Sequence, residues 1–383
     1  MNHEDLLRET LRAKADDAPH GPSLDDIRRR ATRRTVRRRV LVGLAAAAVV
    51  AIAVPTALLL RPSDEPGPAP SPSPSPSLTT SPSSGVPTPT GLEAIPRGAD
   101  PRVTYLQDGV VHGLDGSTSR LPAAATDVVA FTPYHGGWIV LDSVGGLTQY
   151  DNTGTEVRRS HDGESALAVS PDLMRTAFQL GGKILVGISS GMGEGETTHA
   201  VDPHARLVGF LGDRVVYAAG GTVRVVDDVG KETVVPGLSQ AWATSSDGDL
   251  VAGSGGGQGD SIRVVSASTG QVLWNKAGWF AAAFSPDGRY LAAYRTATGG
   301  EFETVAILDA HTGAVVATSK TPGLQSLPSP PTAWEAGDRL LIPYRGGSSW
   351  ALLRLSAGGA VDRATGVVPG TSETAPFAFA RQP

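Results

Sequence analysis

The 383-residue sequence contains no cysteine. Disulfide bonds, thiolate metal ligands, cysteine nucleophiles and a lipid-modified cysteine are therefore excluded. Charged residues are also few, at 19% of the chain. Glycine and proline are abundant instead, with 47 and 29 residues. This balance is typical of a β-rich extracytoplasmic domain rather than a helical one.

The net charge of −5 is unevenly distributed along the chain. Residues 1–39 carry 11 Lys or Arg against 7 Asp or Glu, whereas the remainder carries 22 against 31 and has a net charge of −9. Binding of nucleic acid by the large C-terminal part is not expected, because neutralising phosphates requires a basic surface.

One segment, VLVGLAAAAVVAIAVPTALLL at 40–60, runs for 21 residues without a charge. As a helix it would be roughly 31 Å long, which is about the thickness of the hydrocarbon core of a bilayer. The run RRRATRRTVRRR at 28–39 precedes it, and only Arg61 follows before an acidic, proline-rich segment. This bias predicts a single-pass protein in the cell membrane, with residues 1–39 in the cytoplasm, the lipid bilayer around 40–60 and the remainder outside.

The arginine run has two further interpretations. It could bind nucleic acid, or Thr32–Val36 could belong to a twin-arginine export signal with cleavage near Ala51–Ala53. The apolar run continues beyond Ala53 to Leu60, which favours a retained membrane anchor over a cleaved signal.

Residues 61–101 contain twelve prolines interleaved with serine and threonine. Such a composition cannot bury a core and favours extended polyproline II structure, at about 3.1 Å per residue. We interpret this segment as a disordered stalk, a candidate for O-glycosylation, that holds the ectodomain at 102–383 away from the membrane.

From residue 102 onward, a short apolar strand, a polar turn and a second apolar strand recur. Aligning the repeats gives steps of 38, 41, 34, 40, 50 and 45 residues between Phe131, Val169, Phe210, Thr244, Phe284, Trp334 and Phe379. A period near forty with several strands per repeat predicts an all-β fold, a β-propeller with four-stranded blades. A β-sandwich with coincidental spacing is the alternative.

The repeats also predict how the propeller closes. Seven innermost strands can be counted, but no further strands follow the seventh, near Phe379. The ectodomain begins with three strands that lack an innermost one, VTYLQDG, VVHGLDG and STSRLP. The C-terminal strand should therefore complete the first blade and give seven blades, a closure that removes exposed sheet edges. Pro343 falls inside a predicted strand, where it should produce a bulge because it lacks a backbone donor.

Two stretches carry a family resemblance. FSPDGRYLAAY at 284–294 and VSPDLMRTAF at 169–178 resemble the repeats of TolB-like and WD-like β-propellers, and the resemblance covers roughly 100–383. It implies the fold and little about function. The short tail at 1–39 resembles those of actinobacterial membrane proteins, some of which bind regulators of transcription.

SASTGQVLW at 266–274 and LDAHTGAVV at 308–316 resemble a turn of quinoprotein propellers, in which a tryptophan locks adjacent blades. Only the first stretch has that residue, Trp274. We interpret both as structural turns, with a quinone cofactor site as the alternative, and we predict no cofactor.

Few residues stand out as candidates for a site. His161 with Asp162, and Asp202 with His204, fall between the outer strand of one predicted blade and the inner strand of the next, so both pairs could line one face. They could bind a metal, although solvated loop residues are the interpretation we favour. Trp279 could anchor a protein or a glycan from a face loop, or pack between blades. No catalytic, cofactor-binding or metal-binding residue is assigned.

The favoured function is a monomeric, membrane-anchored module that binds or senses a protein or a cell-wall glycan. The alternatives are an extracytoplasmic propeller enzyme, such as a lyase, hydrolase or quinoprotein, and a transmembrane regulator that signals through residues 1–39. A cluster of acids and histidines with perturbed pKa values at one mouth of the propeller would favour the enzyme.

Overall fold

Strands make up almost all of the secondary structure in this computed structural model. It describes residues 91–121, 128–142, 144–160, 166–189, 196–256, 261–296, 302–320, 331–335, 337–370 and 375–382. Within these ranges the only helical element is a 3₁₀ helix, Gly91–Ala94. None of their helices is long and apolar enough to cross a membrane. The predicted tail, membrane span and most of the stalk, residues 1–90, lie outside them.

The strands form successive antiparallel meanders, which we number by their place along the chain. Meander 1 includes β1 (Tyr105–Gln107), β2 (Val110–His112) and β3 (Thr118–Arg120). Meander 2 is β4 (Val128–Tyr134), β5 (Gly137–Asp142), β6 (Leu147–Tyr150) and β7 (Glu156–Ser160). Meander 3 is β8 (Leu167–Val169), β9 (Arg175–Leu180), β10 (Lys183–Ile188) and β11 (Thr197–Ala200). Meander 4 is β12 (Arg206–Leu211), β13 (Arg214–Ala219), β14 (Thr222–Val226) and β15 (Glu232–Val235).

The later meanders repeat this order. Meander 5 is β16 (Gln240–Thr244), β17 (Leu250–Ser254), β18 (Ser261–Ser266) and β19 (Val272–Ala277). Meander 6 is β20 (Trp279–Phe284), β21 (Tyr290–Thr296), β22 (Phe302–Asp309) and β23 (Val315–Lys320). Meander 7 is β24 (Ala333–Glu335), β25 (Arg339–Gly346), β26 (Ser349–Ser356) and β27 (Val361–Arg363), with β28 (Val368–Pro369) also paired to β26. The last strand is β29 (Phe377–Ala380). The prediction of an all-β fold with recurring four-stranded units is confirmed.

The last strand belongs with the first three. β29 pairs antiparallel with β1, so that Tyr105 lies opposite Phe379 and Gln107 opposite Phe377. Its other edge makes a short parallel pairing with β4, which joins meanders 1 and 2 into one eight-stranded sheet. Strands far apart in sequence thus lie side by side, as the repeat count predicted for this pair.

The seven residues used to align the repeats all lie in the first strand of a meander or in β29. We call β4, β8, β12, β16, β20, β24 and β29 the inner strands. In meander 6, the sequence predicts strands at 280–285, 289–294, 304–309 and 314–319, and these agree with β20 to β23 within two residues at every end. The regular turns account for this agreement, because their chemistry is local.

The turn after Phe284 shows how that chemistry works. The Ser285 hydroxyl donates to Asp287 Oδ1 at 2.6 Å and accepts from the Tyr290 backbone N–H at 2.9 Å. Gly288 adopts a φ of 70°, which glycine tolerates without strain. Ser170 with Asp172 repeats the hydroxyl–carboxylate bond at 2.6 Å. The serine is therefore as important to the reversal as the aspartate and glycine.

Apolar clusters lie between consecutive meanders all along the series. Representative pairs, from meanders 1 and 2 through to 7 and 1, are Val111 with Val140, Ile139 with Phe178, Ile184 with Phe210, Val216 with Val251, Ile262 with Leu291, Ile307 with Leu340, and Leu352 with Phe379. Both faces of the middle strands are buried as a result, so a strand such as β21 is apolar on both sides rather than alternating.

Trp274 fastens meander 5 to meander 6. Its indole Nε1 donates to the backbone oxygen of Ala310 at 2.8 Å, and the nearby Lys276 Nζ donates to that of Gly313 at 3.0 Å. The ring lies so close to Gly313 that a Cβ there would come within 2.7 Å of Trp274 Cδ2. The locking role implied by the quinoprotein-like turn is thus present here.

We expect Gly313→Ala to lower the free energy of unfolding by about 2–3 kcal/mol, because the methyl group meets the indole ring in addition to the strain of a positive φ. Gly230→Ala is the matched control, since Gly230 also has a positive φ, 82°, but no atom within 4 Å of the added carbon. Chemical denaturation measures both. Equal losses in the two variants would show that the indole contact adds nothing.

The folded part begins before residue 102, the predicted boundary. Leu92 is buried against Ala351 and Leu353. Gly98 N donates to Arg363 O at 2.9 Å, and Arg363 N donates to Pro96 O at 2.8 Å. Residues 91–101, assigned to the stalk from their composition, are therefore packed along meander 7, because pairing with β27 and burial of Leu92 outweigh the local preference.

The predicted bulge at Pro343 is wrong. Pro343 lies opposite Leu352 in an uninterrupted register between β25 and β26. Leu352 uses its backbone N–H and C=O on the other side, towards Thr365 and Ala364, so this pair needs no donor from the proline. On the other edge of β25, pairing with β24 has already ended at Leu341. The missing N–H therefore costs no ladder bond.

Candidate ligand-binding site at the inner strands

Trp279 is a packing residue. It is the first residue of β20 and only 7% exposed, within the apolar cluster between meanders 5 and 6. Lys276 Nζ lies 5.8 Å from its ring centroid, within range of a cation–π interaction. Of the two interpretations made from the sequence, the structure favours packing between sheets over a face-loop anchor.

Asp202 and His204 lie together in an exposed turn between β11 and β12. Asp202 Oδ1 accepts from the His204 backbone N–H at 2.7 Å, and Asp202 O accepts from Ala205 N at 2.8 Å. The carboxylate thus shapes its own turn. His161 and Asp162 lie outside the described residues, so the predicted grouping of the two pairs stays a prediction. Within the described ranges, no three His, Asp or Glu side chains form a group that could hold a metal.

The inner strands approach one another at one edge of every meander. β4, β8, β12, β16 and β20 contact one another in sequence, and β29 contacts β4. Trp334 of β24 donates through Nε1 to Ala283 O of β20 at 3.1 Å. The inner-strand edges of neighbouring meanders therefore lie next to one another, so a ligand at this edge could contact residues of more than one meander.

A bulge recurs in the inner strands. The register shifts at 128/130 in β4, at 207/209 in β12, at 241/243 in β16 and at 281/283 in β20. The skipped residues are Val129, Val208, Trp242 and Ala282, and all four are at least partly exposed. A bulge re-aims the extra side chain, and Val208, Trp242 and Ala282 are partly exposed while still packed against the apolar clusters between meanders.

Trp242 is the largest of the re-aimed side chains. Its ring centroid lies 5.4 Å from that of Phe280 on the next inner strand, with the rings inclined by 41°. Both rings are partly exposed. Such an aromatic pair presents a rigid apolar surface, the type of side chain that carries most energy in binding sites.

Polar residues stand beside the aromatic pair. Arg206 and Gln240 open β12 and β16, and Phe280 occupies the equivalent position of β20, each four residues before the aligned residue of its repeat. Both Arg206 and Gln240 are exposed. Three neighbouring inner strands thus place a cation, an amide and an aromatic ring at the same level.

Arg381, in the segment after β29, lies beside the inner strand β4. Its backbone N–H donates to Phe131 O at 2.8 Å. Burial, and after it the positive charge of Arg206, hold the pKa of the Arg381 guanidinium below its ordinary value. The residue as a whole is nevertheless exposed to solvent. We call Arg206, Gln240, Trp242, Phe280 and Arg381 the inner-strand site.

Sequence reasoning missed all five residues of this site. Three of them were within reach, because the repeat alignment puts Arg206, Gln240 and Phe280 at one position. The sequence could not show which of Trp242 and Trp279 would be the more exposed, since a bulge in a short apolar strand cannot be predicted from its sequence. Arg381 could not be placed either, because its position depends on where the segment after β29 turns.

No protein-family model matches the chain, and no curated protein matches it. Solved structures are similar at low identity. A functionally unknown protein from Desulfotomaculum acetoxidans is 15% identical, with a TM-score of 0.46, covering 73% of this chain and 99% of its own. Hsv2 of Kluyveromyces lactis is 15% identical, with a TM-score of 0.44, covering 64% and 87%. Hydrazine synthase of Kuenenia stuttgartiensis is 16% identical, with a TM-score of 0.44, covering 66% and 89%. At these values the similarities carry no argument about the function of this chain.

Proposed function

We propose that this chain is a single-pass membrane protein whose extracytoplasmic, seven-bladed propeller binds a protein or cell-wall glycan through the inner-strand site. The observation that carries the binding role is the partly exposed aromatic pair of Trp242 and Phe280, with the exposed Gln240 and Arg206 on the neighbouring inner-strand positions. Aromatic and arginine side chains are enriched where binding energy concentrates.

The seven-bladed closure is supported by two observations. β29 pairs with β1 at one edge and with β4 at the other. Apolar clusters link each meander to the next and meander 7 to meander 1. In this arrangement each meander is a blade and the inner strands surround a central channel, and no blade edge faces solvent at the seam.

The residues gathered at the inner-strand site are cations, an amide and aromatic rings, rather than the acids and histidines expected of a hydrolytic or lyase centre. That composition favours binding over catalysis. Trp242→Ala should abolish binding of soluble cell-wall glycan fragments, or of a crosslinked envelope protein, by the full chain in detergent. Val316→Ala, a truncation at an exposed valine of β23, should leave binding unchanged. Equal binding by both variants would refute a role for this site.

The proposed orientation can be tested directly because the chain has no native cysteine. A membrane-impermeant maleimide applied to intact cells should label Val144→Cys, at a valine that is 83% exposed. Ser23→Cys, in the basic tail, should react only after the membrane is permeabilised. The opposite pattern would place the meanders in the cytoplasm, and labelling of both sites in intact cells would also contradict the proposal.

A further inference from the structure

We propose that residues 91–98, which we call the strap, fill a peptide-binding groove of meander 7 from within the same chain, and that a segment of another protein binds the groove when the strap leaves. The strap pairs with β27, at the opposite edge of meander 7 from the inner strand β24. The inference is therefore independent of the inner-strand site.

The groove contains a pocket for one aliphatic side chain. Leu92, 3% exposed, is buried in it against Ala351 and Leu353 of β26. Gly346 provides the space, because a Cβ there would lie 2.8 Å from Leu92 Cγ. This glycine has no positive φ that would otherwise explain it. The wall of the pocket is completed by partly buried residues: Tyr344, Val361 and Val367.

Arg363 of β27 holds the rest of the strap. Its backbone N–H donates to Pro96 O at 2.8 Å, and its backbone oxygen accepts from Gly98 N at 2.9 Å. Its guanidinium Nε donates to Ile95 O at 2.9 Å. On the strap's side these three bonds use only main-chain atoms, which every peptide offers. Selectivity for a peptide therefore comes from the pocket, as in other cases of strand addition.

The strap is held less firmly than the residues that follow it. Within 91–98 only Leu92 is buried, and the pairing with β27 is an isolated parallel bridge rather than a ladder. By contrast, the buried Arg354 donates to Ala99 O at 3.0 Å, and Val103 is 5% exposed in the cluster between meanders 7 and 1. Opening of the strap is therefore expected to stop at Ala99 and to leave meander 7 folded.

The same anchoring decides what replaces the strap. A strap from a second copy could reach this groove only if its own residues 99–103 left the places where Arg354 and the apolar cluster hold them. A segment of another protein has no such restraint. It needs an aliphatic side chain in place of Leu92 and, four residues later, a main-chain carbonyl in place of that of Pro96 to accept from Arg363.

The experiment measures, by fluorescence anisotropy, binding of a labelled peptide with the sequence of residues 91–99 to the full chain in detergent. Leu92→Asp in the chain should free the groove, because a carboxylate cannot enter the pocket without losing its hydration. This variant should bind the peptide at least about 30-fold more tightly than the wild-type chain, in which the tethered strap competes at a high effective concentration. Val157→Asp, at a 58% exposed valine of β7, is the matched control and should bind no better than wild type.

Two changes should remove this binding. A peptide that carries the Leu92→Asp substitution should bind the Leu92→Asp chain at least about tenfold more weakly. Gly346→Val, added to the Leu92→Asp chain, should fill the pocket and have the same effect. Equal binding by the Leu92→Asp and wild-type chains, or equal binding of the two peptides, would overturn the proposal. A heterodimer of the wild-type and Leu92→Asp chains in sedimentation velocity would place a second copy's strap in the groove and overturn the choice of occupant.

Hydrogen exchange in the wild-type chain tests the proposal even if the Leu92→Asp chain does not fold. The Arg363 amide faces the strap, whereas the amide of the next residue, Ala364, donates to Leu352 O of β26 at 2.7 Å. The amides of Gly98 and Arg363 should exchange at least about 100-fold faster than that of Ala364, because they need only local opening of the strap. Exchange of all three at one rate, set by global unfolding, would show that the strap does not leave by itself and would overturn the proposal.

Discussion

Deletion of residues 376–383 is expected to lower the melting temperature by roughly 15–30 °C or to prevent folding. β29 buries Phe377, Ala378 and Phe379, which are 2%, 1% and 5% exposed. Truncating one buried phenylalanine to alanine costs about 3–5 kcal/mol, and the total stability of a domain is typically only about 5–15 kcal/mol. The deletion also removes the partner of β1 and exposes its edge.

Thermal unfolding of the full-length and shortened chains by circular dichroism measures this effect. Phe379→Ala should reproduce a substantial part of it, whereas Val315→Ala, at a 46% exposed valine of β23, should change stability by at most about 0.5 kcal/mol. If the shortened chain melts at the same temperature as the full chain, the scheme in which β29 completes the first blade is wrong.

The second large effect is expected at the buried ion network of meander 7. Arg354 and Glu335 are 4% and 1% exposed. The Arg354 guanidinium donates to Glu335, to Asp362 at 2.6 Å and to the backbone oxygen of Ala99 at 3.0 Å. Glu335 also accepts from Arg102 N at 2.8 Å. The network therefore joins β24, β26 and β27 to the segment that leads into β1.

Glu335→Ala should lower the free energy of unfolding by about 3–5 kcal/mol, because it leaves the Arg354 charge buried with only part of its compensation. The double variant Glu335→Leu with Arg354→Met should recover much of the loss, since apolar residues of similar volume need no partners. Arg224→Ala breaks an exposed pair with Glu232, 2.7 Å apart, and should lower the free energy of unfolding far less.

Limited trypsin digestion gives an independent measurement of the same network. The Glu335→Ala variant should be cleaved faster after Arg97 or Arg102, because both lie in the segment that the network holds against meander 7. Cleavage at the wild-type rate, together with a stability loss no larger than that of Arg224→Ala, would contradict the role assigned to these buried charges.

Much of the fold was predictable from the sequence because its repeating chemistry is local. One turn is closed by Ser285, Asp287 and Gly288 through bonds to each other and to the adjacent backbone. The same short sequence therefore predicts the same turn wherever it recurs. Strand order followed from the spacing of those turns. The partner of β29 followed from counting strands, without any knowledge of contacts.

Other features depended on neighbours that are distant in sequence. Residues 91–101 have the composition of a linker, yet they pack along β27, some 260 residues later in the chain. Pro343 is harmless because Leu352 directs its backbone groups away from it. Neither arrangement could be predicted from the neighbouring sequence.

Trp242 and Trp279, in the inner strands of meanders 5 and 6, show which features the sequence determines and which depend on the tertiary structure. The sequence by itself predicted the inner strands in or next to which they lie, since turn chemistry and strand spacing are properties of short segments, and it left Trp279 open between a face-loop anchor and packing between blades. Only the tertiary structure decided that Trp279 is buried between sheets, whereas Trp242, at a bulge, packs against the same apolar cluster with its ring partly exposed beside Phe280. The physical reason is that one extra residue in a strand reverses which side a side chain faces, and the pairing that creates it involves the neighbouring strand.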